Sequence, residues 1–217
     1  LGDVAHIFIK VLDKLKISKL YAIIGGSIGG CLTWEMAAIK NDIAEKIIPV
    51  ASDWKANDWL IANTFLQDRI LENSKDPIGD ARIHAMTFYR TPESLNQRFT
   101  RSKNIEKGIY NVESWLDHHA VKLNQRFSLK SYKFLNKLLR SADITRDDSR
   151  LESKIMPSKS EIHIISVDSD IFFLPDEDKM TTQRLEKQKV KIKNHVIESI
   201  HGHDAFLIET KQISDIF

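Results

Sequence analysis

The sequence has little that would indicate an extracellular, membrane-embedded or nucleic-acid-binding protein. It contains one cysteine in 217 residues, which excludes an internal disulfide framework and fits a reducing, cytoplasmic compartment. No apolar run approaches the roughly 20 residues that a transmembrane helix requires. The formal net charge is only +2, so the composition gives no reason to expect nucleic acid or an anionic membrane as a partner.

One short stretch carries most of the chemical information. An apolar, β-rich run at residues 20–24 leads into Gly25-Gly26-Ser27-Ile28-Gly29, and a helical pattern follows. Strand, G-x-S-x-G and helix together are typical of the nucleophile elbow of the α/β-hydrolase fold. The serine needs a sharp, strained turn, and neighbours without side chains let strand and helix approach each other. The amide of Ile28 would lie at a helix N-terminus, where it can stabilise an oxyanion.

The remaining pattern predicts an α/β core interrupted by helices. Helix and strand alternate over residues 1–53, which favours a parallel sheet with crossover helices. Residues 54–150 show helical periodicity without a strand, which predicts a lid over the core. Residues 151–217 return to the core, with strands at 161–167 and 190–197 and a last helix over 205–217. The lid helices are predicted at 59–70, 81–89, from Pro92, at 112–127 and at 131–139.

An acid and a base follow the serine in the chain order of the α/β hydrolases. A serine hydroxyl needs a base to take its proton, and a carboxylate orients the imidazole that does so. The acid is Asp168 or Asp170, since both follow the strand at 161–167, and the base is His201 or His203. Spacing alone does not separate these alternatives.

Other reactive side chains have simpler interpretations. His195 lies within a strand pattern and is expected to pack, whereas the lid histidines His118 and His119 are expected at the surface or in the pocket. Cys31 is expected to pack in the elbow helix, because nothing near it in sequence would lower its pKa. Residues 201–204 lack a third ligand at sensible spacing, so no metal site is predicted.

Several motifs in order resemble the homoserine O-acetyltransferases of methionine biosynthesis. The resemblance covers nearly the whole chain. It rests on the glycine-rich elbow 25–30, on Asp168-Ser169-Asp170 with Phe172-Phe173-Leu174-Pro175, on Gly202-His203-Asp204-Ala205-Phe206-Leu207, and on the lid stretches 80–94 and 112–127.

The resemblance implies a role for each candidate residue. Ser27, Asp170 and His203 would form the catalytic triad. Arg82 would bind the carboxylate of L-homoserine and Asp204 its amino group. It further implies acetyl-CoA as co-substrate with no bound cofactor or metal, ping-pong transfer through an acetylated serine, and a homodimer formed through the lid helices.

The chain departs from that family in its first part. It begins at Leu1 with one helix and one strand before the elbow, whereas the fold places several strands there, and one of the loops between them carries a second oxyanion donor. We therefore expect a copy that lacks the N-terminal part. Other readings remain open: a serine esterase or thioesterase, a succinyltransferase or serine-acylating variant, or an inactive fragment acting as an interaction domain.

Overall fold

The structure is a computed structural model that describes residues 1–146, 150–156 and 158–216. The described strands are β1 (Leu20–Gly26), β2 (Ala44–Val50), β3 (Lys103–Asn104), β4 (Ile109–Tyr110), β5 (Glu161–Val167) and β6 (Ile192–Ile197). β1, β2, β5 and β6 form a parallel sheet in that order, and β3 pairs with β4 in a separate antiparallel hairpin. The parallel register pairs Gly26 with Val50 and Val167 with Ile197. The carboxyl ends of these strands therefore meet at one edge of the sheet.

The described helices lie before, between and after these strands. They are α1 (Gly2–Lys14), α2 (Ile28–Ile39), α3 (Asp58–Asn73), α4 (Pro77–Tyr89), α5 (Pro92–Phe99), α6 (Asn111–Asn124), α7 (Leu129–Arg140), α8 (Leu151–Ile155), α9 (Pro175–Glu186), α10 (Ala205–Ile208) and α11 (Thr210–Ser214). Among the described residues, no helix combines the length and apolar character needed to cross a bilayer.

The sheet is covered unequally on its two faces. One face packs against α1, α2, α8 and α9 through a large apolar cluster that includes Trp34, Ile47 and Ile164. The other face carries a smaller cluster around Ile165 and Ile197, packed against the C-terminal helices. Because both faces of the sheet are covered, the side chains of a central parallel strand such as β5 are buried on both sides, and the strand is apolar at most positions.

Helices α3 to α7 form the layer that faces the carboxyl ends of the strands. Four of these five helices begin at a residue suited to a helix N-terminus. The side chains of Asn57, Asp76 and Ser128 accept backbone N–H groups at the starts of α3, α4 and α7, and α5 begins with Pro92 after the cap Thr91. α3 packs on α4 and α7, and α4 packs on α6. The layer is therefore held together mainly by its own helix contacts.

Four details differ from the sequence-based expectations. The lid contains the β3–β4 hairpin, although no strand was expected there. The connection after α7 contains α8, whose Leu151 and Ile155 are buried on one face. The last helix is not continuous, because Glu209 adopts ψ 48° between α10 and α11. The strand before the elbow extends through Gly26, beyond the apolar run at 20–24. Residues 147–149, next to the predicted lid boundary at 150, lie outside the described residues.

Candidate active site

Ser27 lies at the turn between β1 and α2 in a strained backbone conformation, with φ 55° and ψ −126°. That φ lies in a region that non-glycine residues seldom occupy, so the surrounding contacts must hold it. At Gly25 the strand comes so close to the helix that a Cβ would lie 2.2 Å from the carbonyl oxygen of Gly29. Gly30 is equally confined, since a Cβ there would lie 2.0 Å from Oγ of Ser52.

The glycines of the motif are therefore not equivalent. At Gly29 a Cβ would meet no described atom within 4 Å, although the motif places glycine there too. The close approach of strand and helix depends on Gly25 and Gly30, and Gly30 lies outside the five-residue pattern.

Three side chains from three strand ends form a continuous hydrogen-bonded chain. Nε2 of His203 lies 2.9 Å from Oγ of Ser27, and Nδ1 of His203 lies 2.7 Å from Oδ2 of Asp170. His203 and Asp170 are both buried. With Nδ1–H donating to the carboxylate, Nε2 is left to accept the proton of the serine hydroxyl.

The structure separates the two candidate acids. Oδ1 of Asp170 accepts the backbone N–H groups of Phe172 and Phe173 at 2.7 and 3.0 Å, which leaves Oδ2 directed at the imidazole. Asp168 is exposed, and its Oδ1 accepts the backbone N–H of Ser199 at 3.0 Å. Asp168 therefore stabilises the neighbouring turn, and Asp170 is the carboxylate beside the base.

The two candidate bases are separated in the same way. Nδ1 of His201 lies 2.9 Å from both Arg90 Nη2 and Ser94 Oγ, so this ring ties the loop after β6 to the lid. His203 is enclosed by aromatic rings, with Tyr89, Phe172 and Phe206 at centroid distances of 5.3, 5.3 and 5.4 Å. These rings fix the orientation of the imidazole.

A cavity of about 260 Å³ opens directly onto the serine. It is bounded by the elbow and by lid helices α3, α4, α6 and α7, and most of its wall is apolar or amide-bearing. Its lining includes Ser27, Ile28, Gln67, Arg82, Tyr89, Arg126, Tyr132, Asn136 and Phe172. Ile28 begins α2, where backbone N–H groups have no partner within the helix, so its amide can receive a developing negative charge beside Ser27.

Arg82 and Asp204, the two residues expected to bind substrate, are placed differently. Arg82 lines the cavity, and its guanidinium lies 5.5 Å from the ring centre of Tyr89. Asp204 directly follows His203 but is not among the residues that line this cavity. Burial raises the pKa of Asp204, while the charges of His203, Arg90 and Arg82 act against that rise. The two side chains therefore lie close enough to interact electrostatically.

Further ionisable groups lie beneath the site and were not identified from the sequence. Burial raises the pKa of Asp53 to about 8, with repulsion from Glu177 and Asp170 adding to it. Burial also raises the pKa of Asp178 well above its ordinary range. A protonated Asp53 adds no second negative charge near Asp170. No local sequence pattern marks this residue, since its environment is assembled by distant segments.

The other reactive side chains are held in packing roles. His195 stacks on His163, with 3.0 Å between Nε2 and Nδ1, on the neighbouring strand. His119 packs edge-on against Trp115, and burial lowers its pKa to about 4; its neighbour His118 is exposed. Cys31 is buried, and burial raises its thiol pKa. Within the part of the chain that the structure describes, no group of three or more His, Cys, Asp and Glu side chains could hold a metal ion.

Solved structures with the same architecture define the class of fold. A homoserine O-acetyltransferase from Bacillus anthracis superposes with a TM-score of 0.87 at 17% identity, over 99% of this chain and 63% of that one. An acetylester hydrolase from Corynebacterium glutamicum gives a TM-score of 0.81 at 19% identity, over 99% and 65% of the two chains. The protein therefore has the α/β-hydrolase fold.

Sequence comparison narrows the relationship within that class. The chain is 31% identical over 225 residues to a homoserine O-acetyltransferase of Cyclobacterium marinum, covering 99% of this chain and 63% of that protein. It is 29% identical over 238 residues to one of Methanococcus vannielii, covering 100% and 48%. The chain thus spans about half to two thirds of the length of these relatives. No family model matches it. The resemblance to the homoserine O-acetyltransferases is confirmed along the whole chain.

Proposed function

We propose that this chain transfers an acetyl group from acetyl-CoA to the side-chain hydroxyl of L-homoserine, by way of an acetylated Ser27. The observation that carries the proposal is the hydrogen-bonded chain Ser27–His203–Asp170 opening into a small cavity that also holds Arg82. A nucleophile, a base and a fixed cation in one enclosed space suit acyl transfer to a zwitterionic acceptor.

In the first half-reaction Ser27 becomes acylated. Nε2 of His203 takes the hydroxyl proton while Oγ attacks the thioester carbonyl, and the Ile28 amide stabilises the oxyanion. The C–S bond then breaks, and the thiolate leaves with the proton that His203 returns. The carboxylate of Asp170 stabilises the imidazolium that exists between these two proton transfers.

The second half-reaction repeats this chemistry in reverse. The homoserine hydroxyl gives its proton to Nε2 of His203 while its oxygen attacks the acetyl carbonyl. The bond to Oγ breaks, Ser27 recovers the proton, and O-acetylhomoserine leaves. Water could attack in the same way, so the site must favour the amino acid over water.

Acceptor recognition is assigned to two charges of opposite sign. The guanidinium of Arg82 presents two parallel N–H donors, which match a carboxylate, and it lies in the same cavity as Ser27. Asp204 offers its carboxylate to the substrate ammonium from the turn that carries His203. We expect Arg82→Gln to raise KM for homoserine by about tenfold or more, because a charge-assisted hydrogen bond contributes about 1.5–3 kcal/mol.

A second candidate is hydrolysis of a small acyl ester or thioester. Esterases share this fold at TM-scores near those of the acetyltransferases, and the triad alone suits both reactions. The distinguishing feature is the pair formed by Arg82 and Asp204, because an esterase acting on apolar esters has no use for it.

The test is release of free thiol from acetyl-CoA, measured with and without L-homoserine. Release that depends on homoserine, and is lost in Ser27→Ala, supports the transferase. Equal release without homoserine indicates a thioesterase. Full activity in Ser27→Ala would refute both readings, since each passes through this hydroxyl.

A further inference from the structure

The cavity that contains Ser27 has an identifiable opening. Most of the residues that line it are buried or half-buried, and the described lining residues that are exposed are Arg126 and Leu135. Arg126 follows the end of α6, and Leu135 lies in the middle of α7. Because an exposed residue that also lines a cavity marks its mouth, the opening lies between these two helices.

The size of the cavity limits what can enter through that mouth. Pockets that enclose drug-sized ligands measure about 300–1,000 Å³, and this one measures about 260 Å³. An acetyl group, its thioester sulfur and the acceptor amino acid are small enough for such a space. The nucleotide of a CoA thioester, with its phosphate groups, must remain outside the mouth.

The chain around the mouth is strongly basic. Residues 118–142 contain six lysines and arginines and no aspartate or glutamate. Arg140 is held by Asp68 at 2.6 Å, so its charge is already neutralised. Within the described residues, no carboxylate forms an ion pair with Arg126. A guanidinium with no carboxylate partner beside a cavity mouth is available to an anion.

We infer that Arg126 binds the phosphate groups of the acyl donor's nucleotide, while the acyl arm passes between α6 and α7 to Ser27. This inference rests on the proposed function, because it assumes that the donor is a CoA thioester. It assigns donor recognition to Arg126 at the mouth and leaves acceptor recognition to Arg82 inside the cavity. Two arginines in one cavity thus bind two different anions.

The first test measures binding alone, by calorimetric titration of CoA into the wild-type chain, Arg126→Gln, Arg126→Lys and Arg69→Gln. Arg69 is an exposed arginine of lid helix α3 that does not line the cavity, so it controls for loss of one positive charge. We expect Kd for CoA to rise about tenfold in Arg126→Gln, less in Arg126→Lys and under twofold in Arg69→Gln. Thermal unfolding of each variant checks that the fold is retained.

The second test separates the phosphates from the rest of the donor. Adenosine 3′,5′-bisphosphate should compete with CoA in the wild-type chain, and its binding should weaken in Arg126→Gln. Pantetheine carries no phosphate, so its binding should be equal in these two proteins. If pantetheine binding falls as much as CoA binding, Arg126 acts on the arm or on the fold, and the inference is wrong.

These outcomes are independent of the triad. Acetylation of Ser27 by p-nitrophenyl acetate, detected as a mass increase of the protein, tests the nucleophile without CoA. A chain that acetylates Ser27 but binds CoA equally well with and without Arg126 overturns the inference and leaves the nucleophile in place. A chain that binds CoA through Arg126 but never acetylates Ser27 overturns the proposed function instead.

Discussion

Replacing Asp170 by asparagine should invert the proton arrangement of the triad while leaving the fold intact. Two backbone N–H groups, from Phe172 and Phe173, donate to Oδ1 of Asp170, and Nδ1–H of His203 donates to Oδ2. The asparagine oxygen must face the two backbone donors, because an NH₂ group placed there would leave them unsatisfied in a buried site. The amide NH₂ must therefore face His203.

That orientation forces the wrong tautomer of the base. An amide N–H directed at Nδ1 requires Nδ1 to accept, so the ring proton moves to Nε2. Nε2 lies 2.9 Å from Oγ of Ser27, and once protonated it can no longer take the serine proton. The same substitution in a serine protease triad lowers kcat about 10⁴-fold, which is equivalent to about 5 kcal/mol in the activation free energy. We expect a loss of this order in acylation of Ser27.

The assay is the rate of Ser27 acetylation by p-nitrophenyl acetate, followed by release of p-nitrophenolate. Asp168→Asn is the matched control, since it makes the same change two residues away in a carboxylate that, among the described residues, accepts the backbone N–H of Ser199 and does not contact His203. The control should retain activity within about threefold. Equal losses in both variants, or less than tenfold loss in Asp170→Asn, would refute the tautomer argument. Circular dichroism should be unchanged in both.

Two further predictions concern stability. Gly25→Ala should destabilise the chain by about 1–3 kcal/mol, because its Cβ would meet the backbone oxygen of Gly29, whereas Gly29→Ala should be neutral or stabilising by up to about 1 kcal/mol; urea unfolding compares them. Asp53→Asn should remove a pH dependence. The folded-state pKa of Asp53 is raised to about 8 from an ordinary 3.8. As the pH rises between these two values, the free energy of unfolding of the wild-type chain should therefore fall relative to that of the variant, by up to about 1.4 kcal/mol per pH unit. Urea unfolding curves whose difference is the same at pH 5 and at pH 8 would contradict this.

The sequence was most informative where chemistry follows a strand. β5 was predicted with its observed bounds, Glu161–Val167, because its apolar run is bounded by polar residues. Parallel strands end at a common edge, so a serine after β1, an acid after β5 and a histidine after β6 could be expected to meet. The choice between Asp168 and Asp170 could not be made from spacing, since it depends on which carboxylate accepts the N–H groups of the next turn.

Features formed by distant segments were missed for a physical reason. Asp53 and Asp178 lie on opposite sides of the lid in the sequence, and burial by distant segments is the main cause of the raised pKa of each, whereas the adjacent Glu177 adds only a smaller repulsion at Asp178. The short helix α8 buries only Leu151 and Ile155, which is too little periodicity to stand out among charged residues. The helix breaks at Glu209, whose carboxylate accepts a hydrogen bond from Oγ of Ser199. Helix propensity, which depends on neighbouring residues, does not predict a contact between residues ten positions apart.

The triad alone does not distinguish a transferase from a hydrolase on this fold, so under the proposed function the difference lies in the acceptor site, to which the lid contributes Arg82. Arg82 packs over Tyr89, and Tyr89 packs on the imidazole of His203, with 5.5 and 5.3 Å separating the interacting groups. This stack connects the cation proposed to bind the acceptor with the base that must deprotonate it. An acceptor held by Arg82 would lie in the same cavity as Ser27, next to the base. Under the proposed function, water has no carboxylate for Arg82 to hold and gains nothing from this arrangement, so Arg82 would favour the amino acid through position rather than through any change in the triad.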